Sequence, residues 1–120
     1  MNSQARKAIA LIVYSLHKGK DHSSVYSYDE SRYSSFSCTL GSNVSVYDYD
    51  RGKYISGSAN GSQYSLYDYG TSKHITFEMR GNEVSGYDYA SSKHYNGTVN
   101  AGGVTIYDYE TGKYHNFSVS

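Results

Sequence analysis

The sequence predicts a mainly β protein: five tandem β-hairpin repeats of about 20 residues, or about ten antiparallel meander strands, behind one N-terminal helix. Three observations carry this. Segments beginning at Val44, Tyr64, Val84 and Val104 align without a gap, and a more divergent copy begins at Ser23. Apolar and polar residues alternate within each copy, the period of a strand with two unlike faces. Gly, Asn and Ser punctuate each copy twice, where a hairpin needs its turns.

The helix comes first in the chain. Gln4 to Lys18 contains no Gly or Pro, and Ile9, Ile12, Val13 and Leu16 fall on one amphipathic stripe. Ser3 is the expected N-cap and Gly19 the expected stop. The whole chain reads as one domain, residues 1–120, with a helix at about 4–18 and hairpins at 23–43, 44–63, 64–83, 84–103 and 104–120.

Within a hairpin, a two-residue turn at Thr111-Gly112 sets Ile106 against Phe117 and Val104 against Val119. The same rule sets Leu66 against Phe77, Val84 against Val99 and Val25 against Phe36. Unlike charges then flank the turns, as in Asp29 with Arg32, Asp50 with Lys53, Glu110 with Lys113 and Arg80 with Glu83. One sheet face carries Val44, Val46, Ile55, Leu66, Ile75, Phe77, Met79, Val99, Ile106 and Phe117. Gaps at Gly57, Gly86 and Gly97 on that face make room for the helix. The opposite face carries the tyrosines.

Two arrangements bury the helix stripe: a closed barrel around it, or a strongly twisted open sheet with the helix across the aliphatic face. Ten strands spaced about 4.8 Å apart and tilted about 40° enclose a radius of about 10 Å, enough to admit a helix. The barrel is the preferred arrangement. Closure needs a stagger that strictly equal hairpins do not supply. The extra residue before Val44 and the Asn60-Gly61 turn are the places to look for one.

Composition narrows function. The 11 basic and 11 acidic side chains cancel, which leaves no electrostatic footprint for nucleic acid or an anionic membrane. Lone Cys38 excludes an internal disulfide and reads as a small core residue. Ala8 to Leu16, after Arg6 and Lys7, is too short to span a bilayer and lacks a signal-peptide cleavage site, so a cytoplasmic location is expected.

Two rows of residues stand out as candidate sites. Asp48, Asp68, Asp88 and Asp108 lie on the aliphatic face near the turns, an acidic ring at one barrel mouth. Such a ring suits a divalent cation, basic helix residues such as Lys18 and Lys20, or the amides of its own turns. The second row is Tyr47, Tyr49, Tyr67, Tyr69, Tyr87, Tyr89, Tyr107 and Tyr109, flat amphipathic rings suited to protein or glycan recognition. His74 and His94 take the place of Tyr54 and Tyr114 on that face, and His115 points to the other. No third ligand makes a metal site of the two histidines, and no cofactor motif is present. The four Asn-x-Ser/Thr sequons, at Asn43, Asn60, Asn96 and Asn116, are what chance gives in so Asn- and Ser-rich a chain.

The leading expectation is therefore a non-catalytic binding or structural protein whose Tyr face engages a protein, a glycan or another copy of the chain. A carrier of a small apolar ligand inside the barrel is the first alternative. A glycan-acting enzyme using the Asp row is a weaker one, because repetition gives every Asp the same surroundings. Cross-β stacking of the repeats is the remaining idea.

Overall fold

The computed structural model describes every residue from Met1 to Ser120. Ten antiparallel strands form a closed barrel, each next to its neighbour in sequence. Helix α1 (Ser3–Lys18) precedes them. The hairpins are β1 (Ser24–Ser27) with β2 (Arg32–Leu40), β3 (Asn43–Asp48) with β4 (Lys53–Asn60), β5 (Gln63–Asp68) with β6 (Lys73–Arg80), β7 (Glu83–Asp88) with β8 (Lys93–Val99), and β9 (Gly103–Asp108) with β10 (Lys113–Val119). The seam closes where Val25 pairs with Val119 and Ser27 with Phe117. No sheet edge is left for the cross-β stacking considered above.

The core lies inside the barrel, and α1 fills it. Every residue from Ala5 to Ser15 is buried, including Arg6 and Lys7. The helix is thus enclosed on all sides, not packed by one stripe as its pattern suggests. Ile9, Leu11, Ile12 and Val13 meet the inward side chains Val46, Ile55, Leu66, Ile75 and Ile106, all 0–1 % exposed, in one cluster. Burial of each such aliphatic side chain stabilises by about 1.5–3 kcal/mol. The cap is Asn2, one residue earlier than expected; its side chain accepts from the Ala5 amide. Gly19 ends the helix at φ 69°, and its amide reaches the Leu16 carbonyl.

The expected register is two residues off, on the correct face. Asp108 pairs with Lys113, Tyr107 with Tyr114, Ile106 with His115 and Val104 with Phe117. Likewise Leu66 pairs with Ile75, Val84 with Gly97 and Val25 with Ser34. Lys53 and Arg32 pair with Asp48 and Ser27 in place of Asp50 and Asp29, whereas Arg80 does face Glu83. The cause is the turn. A two-residue hairpin turn of type I′ wants positive φ at both central residues, and Thr111 does not adopt it. The chain instead uses four residues, Tyr109 to Gly112, and only the last, Gly112, has a positive φ, 65°. Ser31, Gly52, Ser72 and Ser92 occupy the corresponding position in the other hairpins.

These long turns alternate with shorter ones at the opposite mouth, two residues at Gly61-Ser62 and Gly81-Asn82 and three between Leu40 and Val44, and the inequality supplies the stagger. Leu66 pairs with Ile75, and Ile75 pairs with Asp88, two residues beyond Gly86, which the sequence alignment equates with Leu66. The same step takes Val46 through Ile55 to Asp68, and Gly86 through Tyr95 to Asp108. Each hairpin therefore advances the register, and the sheet coils shut.

The glycine gaps serve the sheet itself rather than the helix. A Cβ on Gly57 would lie 2.0 Å from the Ser65 carbonyl oxygen of the adjacent strand. A Cβ on Gly86 would lie 2.2 Å from the ring of Tyr95, whose hydroxyl donates to the Thr76 carbonyl at 3.1 Å. At Gly97, by contrast, a Cβ would meet Val84, Thr105 and Ile106 at 3.5–3.7 Å, an ordinary contact distance that requires no glycine.

Candidate functional site

The four-residue turns gather at one mouth, and the N-terminus of α1 lies there too. Asp48, Asp68, Asp88 and Asp108 are 0–3 % exposed, forming the expected acidic ring. Each first serves its own turn: Oδ1 accepts the amide two residues on, from Asp50 (2.9 Å), Gly70 (2.8 Å), Ala90 (3.2 Å) and Glu110 (3.0 Å). The second partner is cationic or polar. Gln4 donates to both oxygens of Asp48, and Arg51 spans Asp48 and Asp68 at 2.8 and 3.1 Å. Arg6 meets Asp108 at 3.1 Å, and the Met1 ammonium meets Asp108, Asp88 and Glu110.

Lys18 and Lys20, the cations expected at this ring, sit at the other end of the helix, where the Lys18 ammonium lies over the Tyr14 ring. The orientation follows electrostatics: the positive end of the helix dipole and the cations of its first turns face the acids. Lys7 is fully buried yet reaches Glu30 at 2.5 Å and Ser34 at 3.0 Å. That contact is the main reason the Glu30 carboxyl is held below its ordinary 4.5. Burial opposes the ionisation of Asp50, but Ser34, Arg32 and Gln4 outweigh it and hold the pKa below 3.8. Burial likewise opposes the charge on the Met1 amine, and Glu110, Asp108 and Asp88 outweigh it, raising the pKa above 8.0. No His/Cys/Asp/Glu group has metal-site geometry.

The other expected site residues lie outside, around the same mouth. Each hairpin builds one aromatic cluster of edge-to-face rings: Tyr26, Tyr28 and Tyr33; Tyr47, Tyr49 and Tyr54; Tyr67, Tyr69 and His74; Tyr87, Tyr89 and His94; Tyr107, Tyr109 and Tyr114. Centroids within a cluster are 4.7–5.1 Å apart. The central ring, such as Tyr47 or Tyr107, is half-buried. Its neighbours Tyr49, Tyr54, Tyr109 and Tyr114 are 51–69 % exposed. Such cross-strand aromatic pairs stabilise the sheet and leave free faces outward.

Beside the clusters run shallow grooves floored by small polar side chains. One of about 370 Å³ is lined by Ser37, Thr39, Ser45, Tyr47, Tyr49 and Tyr54. A second of about 450 Å³ is lined by Asn96, Gly97, Thr98, Thr105, Tyr107, Tyr109 and Tyr114. The two have matching positions in the second and fifth hairpins. A third, broader groove crosses β4 to β8 and is floored by Ser58, Ser65, Thr76 and Ser85. The grooves were not legible from the sequence, although alternation does place Ser and Thr beside Tyr on the outer face.

His115 turns inward as alternation requires and is 5 % exposed. Its Nδ1 contacts Asp29 across the seam, and its Nε2 lies 2.8 Å from the Thr111 hydroxyl. This Thr–His–Asp chain was missed because Asp29 and His115 are far apart in sequence. The Thr111 hydroxyl also lies 3.2 Å from the Asp108 carbonyl, a turn contact that Thr71 repeats at 3.4 Å where Ile75 stands at the position of His115. The chain thus reads as a clasp of the seam. Cys38 is half-buried, and desolvation pushes its thiol up to about 11. No helix is long and apolar enough to cross a membrane. No protein-family model, no curated protein and no solved structure matches this chain.

Proposed function

We propose that the chain is a non-catalytic glycan-binding barrel that presents several shallow sites around one rim. The observation that carries this reading is the matched pair of grooves on the second and fifth hairpins, where exposed Tyr rings stand beside Ser, Thr and Asn side chains. A sugar ring offers a C–H face, which packs on a flat aromatic face, and a rim of hydroxyls, which pair with small hydroxyl and amide groups. Shallow sites bind weakly one at a time, and repetition of the site around the rim compensates by multivalency.

The alternatives lose their physical basis. A carried apolar ligand would need the space that α1 fills. A glycosidase would need two carboxylates open to substrate, and the Asp row is buried and committed to turn amides and cations.

The test is replacement of Tyr49, Tyr54, Tyr109 and Tyr114 together by Ser. Their exposure predicts a folded barrel that has lost retention on immobilised polysaccharides. If the variant is retained like the parent, the reading fails. If the parent is not retained at all and sediments as a concentration-dependent oligomer that the same substitutions abolish, self-association through the Tyr face replaces it.

A further inference from the structure

The rim is not uniform in charge, and the asymmetry points to the class of sugar. Each of the last four hairpins starts its second strand with a lysine, Lys53, Lys73, Lys93 or Lys113, and all four are exposed. The ion pairs of the molecule involve Met1, Arg6, Lys7, Arg32, Arg51, Arg80 and His115, and none involves these lysines. The Asp that faces each of them in the register turns inward to its own turn.

What differs between hairpins is the turn residue after the exposed Tyr. It is Asp29, Asp50 or Glu110 in the first, second and fifth, but Gly70 or Ala90 in the third and fourth. The third and fourth hairpins thus present lysines on turns that carry no exposed acid, and each has a histidine, His74 or His94, at the next position. One groove joins the lysine and histidine of the fourth hairpin to the aromatic belt. It holds about 710 Å³ and is lined by Ser85, Ser92, Lys93, His94, Asn96 and Tyr109. The Asn96 amide donates to the Tyr109 hydroxyl at 3.2 Å, which fixes the ring over the groove beside the ammonium.

We infer that this sector takes an acidic sugar, a uronic-acid unit within a longer glycan, with Tyr109 as the stacking platform and Lys93, then Lys73, as carboxylate partners. The inference rests on the glycan reading above. Lys73 and Lys93 start strands separated by two strand spacings and a two-residue offset, roughly 12 Å. That is a separation which successive charged units of a polyuronide can bridge. A nucleic-acid strand would also stack on tyrosines, but its dense phosphate charge calls for a broadly basic surface. This chain has zero net charge.

The deciding experiment measures binding of two acidic hexasaccharides at low salt: a galacturonate oligomer and an oligomer alternating glucuronate with N-acetylglucosamine. Each is compared with its carboxyl methyl ester, which keeps the shape and removes the charge. At least one acid should bind ten-fold or more tightly than its ester. The Lys73→Gln/Lys93→Gln variant should bring acid and ester within two-fold, lowering affinity for the acid far more than for the ester. Equal binding of acid and ester by the parent overturns the acidic-sugar assignment and leaves the glycan reading standing. No binding of either form overturns both. Tighter binding of a single-stranded RNA hexamer than of any uronide overturns both in favour of nucleic acid.

Discussion

On the seam side of the acidic mouth, Met1, Arg6 and Lys7 reach Asp108, Glu110, Glu30 and Asp50; on the far side, Lys73 and Lys93 stand at the heads of β6 and β8 with no carboxylate paired to them. The strands and turns are of the same kind in both places. The difference comes from the N-terminal segment, whose cations Met1, Arg6 and Lys7 reach one part of the rim. There the turns carry Glu30, Asp50 and Glu110, and these acids anchor the plug. Away from the partners of Arg6 and Lys7 the turn positions are Gly70 and Ala90, and neither Lys73 nor Lys93 is in an ion pair. Acid on this rim therefore marks where the helix is held, and its absence marks surface left for a ligand.

Exchanging one lysine on each side tests that division with the largest expected effect. Lys7→Ala removes a fully buried ammonium and leaves Ser34 and Glu30 without their partner. The loss should be about 3 kcal/mol, the low end for breaking a buried pair, because the Glu30 side chain is 33 % exposed and water can rescue it. Lys73→Ala should shift stability by no more than about 0.5 kcal/mol, as for an exposed unpaired side chain. Urea unfolding of both variants gives the comparison directly. Equal losses would mean that the plug is not held by charge.

The second effect is on pH dependence and belongs to the seam side. Glu30 and Asp50 have lowered folded values, so their contribution is full above 4.5 and 3.8 and is lost as pH falls through the folded values. The Met1 amine has a raised folded value, so its contribution is full below 8.0 and is lost as pH rises through that value. The urea midpoint should be flat between these limits and fall on both sides. In Lys7→Ala the acid limb should become shallower, since Lys7 is the main cause of the Glu30 shift. An unchanged acid limb would assign that limb to other carboxyls.

A smaller effect is expected at the seam. Asp29→Asn weakens the contact to His115 where β1 and β10 share only three register pairs. The side chain of Asp29 is 47 % exposed, so the global cost should be about 1 kcal/mol or less. Amide exchange should show it more clearly: Tyr28 and Ser120, bonded across the seam, should lose protection before Leu66 or Ile75 does. Uniform loss of protection would show that the seam opens only with the whole barrel.

Much of this architecture was legible because alternation is encoded residue by residue. Val46, Ile55, Leu66 and Ile106 on one face and Tyr47, Tyr67 and Tyr107 on the other are where period two puts them. The register error was exactly of the kind that period two cannot detect, since a two-residue slip keeps every side chain on its face. The turn chemistry held the answer: Thr111 and Ser91 do not suit a two-residue turn, and Asp108 and Asp88 two residues before Glu110 and Ala90 mark a longer one. The helix was placed correctly but given the wrong end at the mouth. Arg6 and Lys7 were read only as the residues before a short apolar run, and the acidic ring, taken together with the helix dipole, is what shows that they point to carboxylates. The aromatic row was visible; the grooves beside it depend on how neighbouring strands stagger.

The finest test adds an acid where the rim lacks one. Ala90 occupies the position of Asp50 and Glu110, its amide already donates to Asp88, and its side chain is exposed. Ala90→Asp should therefore fit the turn and change stability by no more than about 0.5 kcal/mol. The new carboxylate would stand on the same turn as Lys93; the Met1 ammonium already meets Asp88 of that turn, whereas Arg6 and Lys7 pair elsewhere. If unpaired rim lysines are what select an acidic sugar, the substitution should erase most of the preference for acid over ester while retention on neutral glycan persists. The reverse substitution, Glu110→Ala, removes the exposed acid from the turn of Lys113 but also removes a partner of the Met1 ammonium, so it should lower stability as it raises affinity for the acid. Opposite shifts in the two variants would tie helix anchoring and ligand charge to one rim position. Parallel shifts would separate them.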